Sequence, residues 1–154
     1  MKVFLDIDGV LLGTDRERPT RLALADHAAT FLQYATRQFD CYWLAAQCRG
    51  SAASAVDHIV RHAKMSDRES VMRSAAKIRA TSYRELRTEA LPADGDFVWF
   101  DDGPDPAELA VLRERGWMNC WQWVDTREEP EDLLRAMEWL RARVQVGRAR
   151  GGRA

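Results

Sequence analysis

The sequence has few of the features that mark specialised classes of protein. Lysine is scarce, with only Lys2, Lys64 and Lys77 among 154 residues, so the basic charge is almost entirely arginine. No apolar stretch approaches the ~18–20 residues that are needed to span a bilayer. The formal net charge is −1 at pH 7, so the composition provides no overall attraction to nucleic acid or to anionic membranes.

Cysteine is also scarce. The three cysteines, Cys41, Cys48 and Cys120, are odd in number and lack the spacing of a metal-binding motif. A secretion signal is not expected, because Asp6 and Asp8 interrupt the first apolar run of the chain. We therefore expect a cytoplasmic protein with reduced thiols and no membrane partner.

The remaining composition is that of a globular domain. Hydrophobic residues make up 46% of the chain and charged residues 31%, which is typical of a protein with a core of its own, and the length fits one domain. We predict one domain over residues 1–146, followed by a Gly- and Arg-rich tail over residues 147–154 that we expect to be disordered.

Hydrophobic periodicity predicts strands that alternate with amphipathic helices. The strands are short apolar runs at residues 2–6, 40–46, 97–100 and 117–124. The helices are expected at residues 19–35, 51–60, 68–76, 82–90, 106–115 and 130–144. This alternation is typical of an α/β protein in which helices cover both faces of a parallel sheet.

Two of the predicted strands end in acidic pairs. Asp6 and Asp8 follow the first strand, and Asp101 and Asp102 follow the strand at residues 97–100. Since ligand sites of parallel sheets lie beyond the carboxyl ends of the strands, we expect the four carboxylates to meet there. Clustered carboxylates repel one another unless a cation lies between them, and Mg²⁺ prefers oxygen ligands, so the pattern predicts a Mg²⁺ site. The alternative is that Asp6 and Asp8 only cap a turn or a helix.

The segments around these residues resemble a known family. Residues 3–11, an apolar strand followed by Asp6-Ile7-Asp8-Gly9-Val10, are similar to the first motif of the haloacid dehalogenase (HAD) superfamily, and residues 97–102 resemble its fourth motif. The likeness covers most of the chain, to about residue 143. It implies a three-layer, Rossmann-like α/β fold with a mainly parallel central sheet.

The resemblance also implies roles for the acidic residues. Asp6 would be the nucleophile that forms an aspartyl-phosphate, and Asp8 would act as general acid and then as general base for water. Mg²⁺ would be held by the Asp6 carboxylate, the main-chain carbonyl of Asp8 and Asp101, with Asp102 as a ligand or a partner of the ligands. An aspartate at position 8 favours phosphatases over the dehalogenases of the family, which lack it. The resemblance thus implies a Mg²⁺-dependent phosphomonoesterase.

Two further motifs of the family are altered. The second strand should end in Thr or Ser, which holds a phosphoryl oxygen, but Ala45 and Ala46 are found there, with Gln47 and Ser51 as the nearest polar candidates. Losing one such donor typically slows a reaction by about 10²–10³-fold, which predicts a slow enzyme.

The third motif of the family should supply a lysine that neutralises the nucleophile and the phosphate. Arg87 aligns at this place and is our candidate for the role, with Lys64 and Lys77 as alternatives. Arginine keeps the charge but not the geometry of an ammonium group.

Members of the family that act on small metabolites usually carry a cap domain. Only a short segment separates Asp8 from the helix predicted at Pro19, and there is no room for a cap between Arg87 and Phe97. We expect no large cap domain and an open site that suits a large phosphorylated substrate, such as a nucleic-acid end or a phosphoprotein. Residues 43–50 and 86–90 are similar to those of small stand-alone members, some of them linked to nucleic-acid end repair.

The altered motifs leave other hypotheses open. One is a catalytically impaired HAD-fold module that binds phosphate or regulates a partner without turnover. Another is a subunit whose missing phosphate contact comes from a second chain; the sequence does not predict the oligomeric state. The histidines are expected on the surface: His27, His58 and His62. The tryptophans of the last strand are expected to pack in the core: Trp117, Trp121 and Trp123.

Overall fold

The computed structural model describes the backbone of residues 1–151 and the side chains of residues 1–145. The described strands are β1 (Lys2–Leu5), β2 (Leu12–Thr14), β3 (Leu22–Leu24), β4 (Asp40–Trp43), β5 (Phe97–Asp101) and β6 (Trp121–Trp123). The α-helices are α1 (Ala28–Gln38), α2 (Ala53–His62), α3 (Met65–Ala75), α4 (Pro106–Glu114) and α5 (Asp132–Gly151). Two 3₁₀ helices cover Arg87–Ala90 and Met118–Cys120.

Four strands form a parallel sheet in the order β4-β1-β5-β6. This confirms the predicted α/β fold with a mainly parallel sheet. The central strand is β1, in which Leu5 is in register with Trp43 of β4 and with Phe100 of β5. Because all four strands run in the same direction, β1 and β5 end side by side, and the residues that follow them share one edge of the sheet.

Alternate residues of the strands enter two cores on opposite faces of the sheet. Val3, Leu5 and Phe100 belong to the larger core, to which α1, α2, α3 and α5 contribute. Phe4 and Trp99 belong to a smaller core that also contains Leu112 of α4. Helices therefore flank the sheet on both sides, in three layers.

The chain between β1 and α1 differs from the prediction. β3 pairs antiparallel with β2 and forms a hairpin, with Leu12 opposite Leu24, and α1 begins only at Ala28. The apolar residues of this segment fit the period of a strand as well as that of a helix, and pairing of the backbone with β2 selects the strand. The helix predicted from residue 19 is therefore wrong for its first part.

A second difference concerns residues 82–90, which were predicted as an α-helix. Only the segment Arg87–Ala90 is helical, as a single 3₁₀ turn. The Glu89 carboxylate accepts hydrogen bonds from the backbone N–H groups of Arg84, Glu85 and Leu86, and these bonds hold the preceding residues in a loop. The same hydrogen bonds lower the pKa of the Glu89 carboxyl group.

The two connections at which a cap domain was considered in the sequence, between β1 and α1 and before β5, are short. The hairpin β2–β3 is the regular structure between β1 and α1, and residues 91–96 join the 3₁₀ turn to β5.

At the other end of the chain, α5 continues to Gly151 and so enters the predicted tail, of which residues 152–154 lie outside the described residues. None of the described helices has the length and apolar character that crossing a bilayer requires.

Candidate active site

Three carboxylates meet where β1 and β5 end. One oxygen from each of Asp6, Asp101 and Asp102 lies within 4.8 Å of the others. The main chain fixes this arrangement. The Asp6 N–H donates to the carbonyl of Phe100 at 3.1 Å, so that Asp6 lies beside Asp101, the next residue of β5. The Asp101 side chain is fully buried and that of Asp6 is 13% exposed. The structure thus brings together three of the four predicted carboxylates, which we call the acidic group.

Two tryptophans of β6 hold the main chain of the acidic group. Trp121 Nε1 donates to the carbonyl of Asp101 at 3.2 Å, and Trp123 Nε1 donates to that of Asp102 at 3.1 Å. The Gly103 N–H donates to Asp101 Oδ1 at 2.9 Å. The prediction that these tryptophans only pack in the core missed this polar contact, and Trp123 is itself 48% exposed.

Arg87 lies against the acidic group. Its Nη1 is 2.5 Å from Asp101 Oδ2 and 3.5 Å from Asp6 Oδ2. Its Nε and Nη2 donate to the Glu108 carboxylate at 3.1 and 2.8 Å, and its guanidinium carbon lies 4.8 Å from the centre of the Trp99 ring. The structure therefore places the Arg87 guanidinium group beside Asp6, the predicted nucleophile, where the sequence predicted a basic side chain.

Glu108 is part of the site although the sequence reasoning missed it. Its side chain is buried, and besides the Arg87 guanidinium it accepts the backbone N–H of Arg87 at 2.8 Å and that of Asp105 at 3.2 Å. A signal was present in the sequence, since Asp105-Pro106-x-Glu108 forms a capping box at the start of α4. A capping box places the glutamate at the helix end that faces this edge of the sheet.

Arg127 was also missed. It pairs with Asp102 and with Asp125, and the loop that carries it is bound to the chain after β1, because Thr126 donates to the Gly9 carbonyl from both its N–H and its hydroxyl. Gly9 has a φ of 83°, and a Cβ atom there would lie 2.6 Å from Asp102 Cγ. Glycine is therefore required at this position by both backbone conformation and space.

Negative charge exceeds positive charge in this network. Five carboxylates share two guanidinium groups, an excess of three negative charges when all are ionised. Burial, and next the charge of Asp101, raise the pKa of Asp6 well above its usual range. Burial likewise raises the pKa of Asp101 to about 6, and it also raises the pKa of Asp102. Burial alone would lower the pKa of Arg87, but its hydrogen bonds to Glu108 and the nearby carboxylates raise it.

The donor set of the acidic group fits a divalent cation. All of its ligand atoms are carboxylate oxygens, which Mg²⁺ prefers, and Mg²⁺ is typically held by one or two carboxylates with water and phosphate as further ligands. An added cation would offset the excess negative charge and lower the raised carboxyl pKa values. The residues present therefore suit the predicted metal.

The Asp8 carboxylate is not part of the acidic group. Its Oδ1 lies 2.8 Å from His58 Nε2, and its Oδ2 accepts a hydrogen bond from Gln47 Nε2 at 2.7 Å. The expectation that four carboxylates meet therefore holds for three. His58 was predicted as a surface residue, but its side chain is only 22% exposed and binds Asp8. The i, i+4 spacing of His58 and His62 was the available signal.

Among the described contacts, neither predicted substitute for the second-motif hydroxyl, Gln47 or Ser51, binds a residue of the acidic group. Ala45 is buried and Ala46 is exposed, Gln47 is directed to Asp8, and Ser51 is exposed with its Oγ accepting a backbone N–H. The alternative basic residues of the third motif are both exposed: Lys64 and Lys77.

No family model matches the chain, and no curated protein or solved structure is significantly similar to it. Functional inference therefore depends on the site itself. It contains a nearly buried carboxylate in Asp6, a half-exposed carboxylate in Asp8 with two hydrogen-bond partners, a fixed guanidinium group and a set of oxygen donors for a cation. These are the elements of nucleophilic attack, proton transfer and stabilisation of phosphate charge.

Proposed function

We propose that this protein is a Mg²⁺-dependent phosphomonoesterase that uses Asp6 as its nucleophile. The observation that carries the proposal is the acidic group, in which oxygens of Asp6, Asp101 and Asp102 lie within 4.8 Å of one another with excess negative charge around them. Such a group suits a divalent cation, and a cation suits an incoming phosphate dianion. The resemblance of the two acidic motifs to those of the HAD superfamily leads to the same reaction, and we propose the corresponding HAD fold without a large cap domain.

Three side chains and one main-chain group would hold the metal: those of Asp6, Asp101 and Asp102 and the carbonyl of Asp8. When bound, Mg²⁺ supplies positive charge that offsets these carboxylates and the charge on the phosphoryl group. This positive charge would also favour the ionised form of Asp6, whose pKa burial raises and which must be ionised to act as a nucleophile.

The chain's own residues account for both steps of hydrolysis. An oxygen of Asp6 attacks phosphorus and forms a P–O bond while the bond to the leaving oxygen breaks, and Asp8 donates a proton to that oxygen. Asp8 then accepts a proton from water, whose oxygen attacks phosphorus and releases inorganic phosphate and free Asp6. His58 and Gln47 hold the Asp8 carboxylate during both transfers, and Arg87 provides positive charge beside Asp6.

A second candidate function is a binding or regulatory module that holds phosphate without turnover. The contacts of Arg87 favour it, because its guanidinium group already binds Asp101 and Glu108, and the alanines at positions 45 and 46 offer no hydroxyl to a phosphoryl oxygen. In such a module the acidic group would still bind a cation, and the cation would bind phosphate.

Turnover of p-nitrophenyl phosphate with Mg²⁺ or with EDTA separates the two functions. We expect Mg²⁺-dependent release of p-nitrophenol by the wild type and a loss of more than about 10³-fold in Asp6→Asn, because the nucleophile is removed. The matched control is Asp40→Asn, at the start of β4 and 64% exposed, which should retain activity. Equal activity in wild type and Asp6→Asn would contradict the proposal, and no activity on several phosphoesters would favour the module. A crystal grown with Mg²⁺ and beryllofluoride should carry its adduct on Asp6.

The open surroundings of Asp8 lead us to propose a large phosphorylated substrate. Its carboxylate is 42% exposed, and the connections around the site are short, so a phosphate at the end of a macromolecule has access to it. A cytoplasmic location stays an expectation from the sequence.

A further inference from the structure

A cleft lies next to the acidic group on the side of the hairpin β2–β3. It has a volume of about 670 Å³ and is bounded by the hairpin, the end of α2, the start of α3 and the loop that contains Thr126 and Arg127. This volume is in the range of pockets that hold small ligands. Arg127 connects the cleft to the site, because it lines the cleft and also pairs with Asp102.

The cleft concentrates positive charge in a protein whose net charge is −1. Six arginine or lysine side chains line it, against three carboxylates. Within the residues whose side chains are described, four of these cations are exposed and form no ion pair: Arg21, Arg61, Lys64 and Arg68. Long basic side chains without carboxylate partners are available to a multiply charged anion.

The start of α3 contributes to the same part of the cleft. Lys64 is the N-cap residue of this 11-residue helix, and no side chain caps it. The free N–H groups and the positive end of the helix dipole favour an anion there, and Lys64 and Arg68 flank this end. Asp67 lies in the same turn but does not line the cleft.

The described lining of the cleft contains no Phe, Tyr or Trp. The one aromatic ring in this lining is the imidazole of His62, whose Nδ1 lies 3.2 Å from the carbonyl of Leu22. Aromatic platforms are the usual means of stacking bases, whereas basic side chains bind phosphates without reading sequence. The cleft is therefore built to recognise negative charge.

We propose that this cleft binds a second phosphate group of the substrate, so that the substrate carries at least two phosphate groups and is not an isolated phosphomonoester. The inference rests on the proposed function, because the first phosphate is the one that Asp6 attacks. Arg127 stands between the two positions and would contact both phosphates. Two sources share this chemistry: a nucleic-acid strand with a terminal phosphate, and a small bisphosphate.

The test removes three of the free cations in one variant, Arg61→Gln/Lys64→Gln/Arg68→Gln. Fluorescence anisotropy measures binding of a terminally phosphorylated single-stranded oligonucleotide at several salt concentrations, in an Asp6→Asn background that prevents turnover. We expect the dissociation constant to rise tenfold or more at low salt. The slope of log K against log salt should fall by about 0.7, which is the contribution of one phosphate contact to a single strand.

The control carries the same change of charge at exposed positions outside the cleft, Arg37→Gln/Lys77→Gln/Arg113→Gln. We expect this variant to bind the strand as the parent does. Equal weakening in both triple variants, or none in the cleft variant, would overturn the proposal, and so would tighter binding of a singly phosphorylated peptide than of the strand. Circular dichroism of each variant checks that the fold is retained.

Competition separates the two sources of phosphate. Displacement of the strand by fructose 1,6-bisphosphate at micromolar concentration identifies a small bisphosphate, and displacement only by longer strands identifies a phosphodiester chain; either result supports the proposal. If the protein turns over p-nitrophenyl phosphate but the cleft variant binds the strand as the parent does, the cleft proposal is refuted and the proposed phosphatase function stands. If there is no turnover but the cleft variant binds the strand more weakly, the phosphatase proposal is refuted and the anion site stands.

Discussion

Asp101 is expected to control how the stability of the metal-free protein depends on pH. Burial raises the pKa of its carboxyl group from 3.8 to about 6, so between these values the folded protein holds a proton that the unfolded chain has released. Stability must therefore fall as the pH rises through this range. A pKa shift of about two units contributes roughly 3 kcal/mol to the free energy of unfolding at low pH. About 2 kcal/mol of this contribution is lost between pH 4 and pH 7. The side chain is fully buried, so solvent does not screen this contribution.

The substitution Asp101→Asn preserves the shape of the side chain and removes its titration. Urea unfolding in EDTA at pH 4, 5, 6 and 7 gives the free energy of unfolding for wild type and variant. From pH 4 to pH 7 the difference between them should change by about 2 kcal/mol in favour of the variant. Asp40→Asn, at the opposite end of the sheet, serves as the control and should follow the wild type.

Parallel pH profiles of wild type and Asp101→Asn would refute this reasoning. Added Mg²⁺ extends the test, because a cation that binds ionised carboxylates stabilises the folded wild type most at neutral pH. At a Mg²⁺ concentration 100-fold above the dissociation constant the gain is about 2.7 kcal/mol. Asp101→Asn should lose most of this gain.

Two further predictions concern the groups around the acidic residues. Arg87→Met should lower the free energy of unfolding by about 3–5 kcal/mol, because three carboxylates lose their shared cation; urea unfolding beside Arg87→Lys measures this, and a Met variant as stable as wild type would contradict it. His58→Ala should lower kcat on p-nitrophenyl phosphate by about tenfold with little change in KM, since Asp8 loses one of its two partners. His58→Gln should restore part of the rate, and an effect on KM alone would argue against a role through Asp8.

The sheet could be predicted because buried parallel strands are short, nearly continuous apolar runs. β1, β4 and β5 follow this rule, and the rule that sites lie at the carboxyl ends of such strands was sufficient to bring Asp6 and Asp101 together. The hairpin could not be predicted in the same way, since Leu22 and Leu24 are compatible with either period. The loop before Arg87 depends on hydrogen bonds from backbone N–H groups to the Glu89 carboxylate. A pattern of hydrophobic residues cannot predict such bonds.

The partners of the acidic residues were harder to predict than the residues themselves. Glu108 meets Arg87, and His58 meets Asp8, only because separate helices are oriented by packing against the sheet. A sequence pattern gives the position of each helix along the chain and its apolar face, but not which residues of other elements lie opposite its polar side chains. Charged residues on such helices are therefore assigned to the surface by default, as His58 was.

The central position of β1 has a consequence for synthesis of the chain. Asp6 emerges from the ribosome early, whereas β5, which pairs with β1 in the sheet, emerges only after four strands and three α-helices have been made. Arg87 precedes Asp101 along the chain, so the counter-charge is available before the acidic residues converge. A nascent chain that stops before Phe97 lacks Asp101 and Asp102, and the site is completed only when β5 pairs with β1 across the long segment between them.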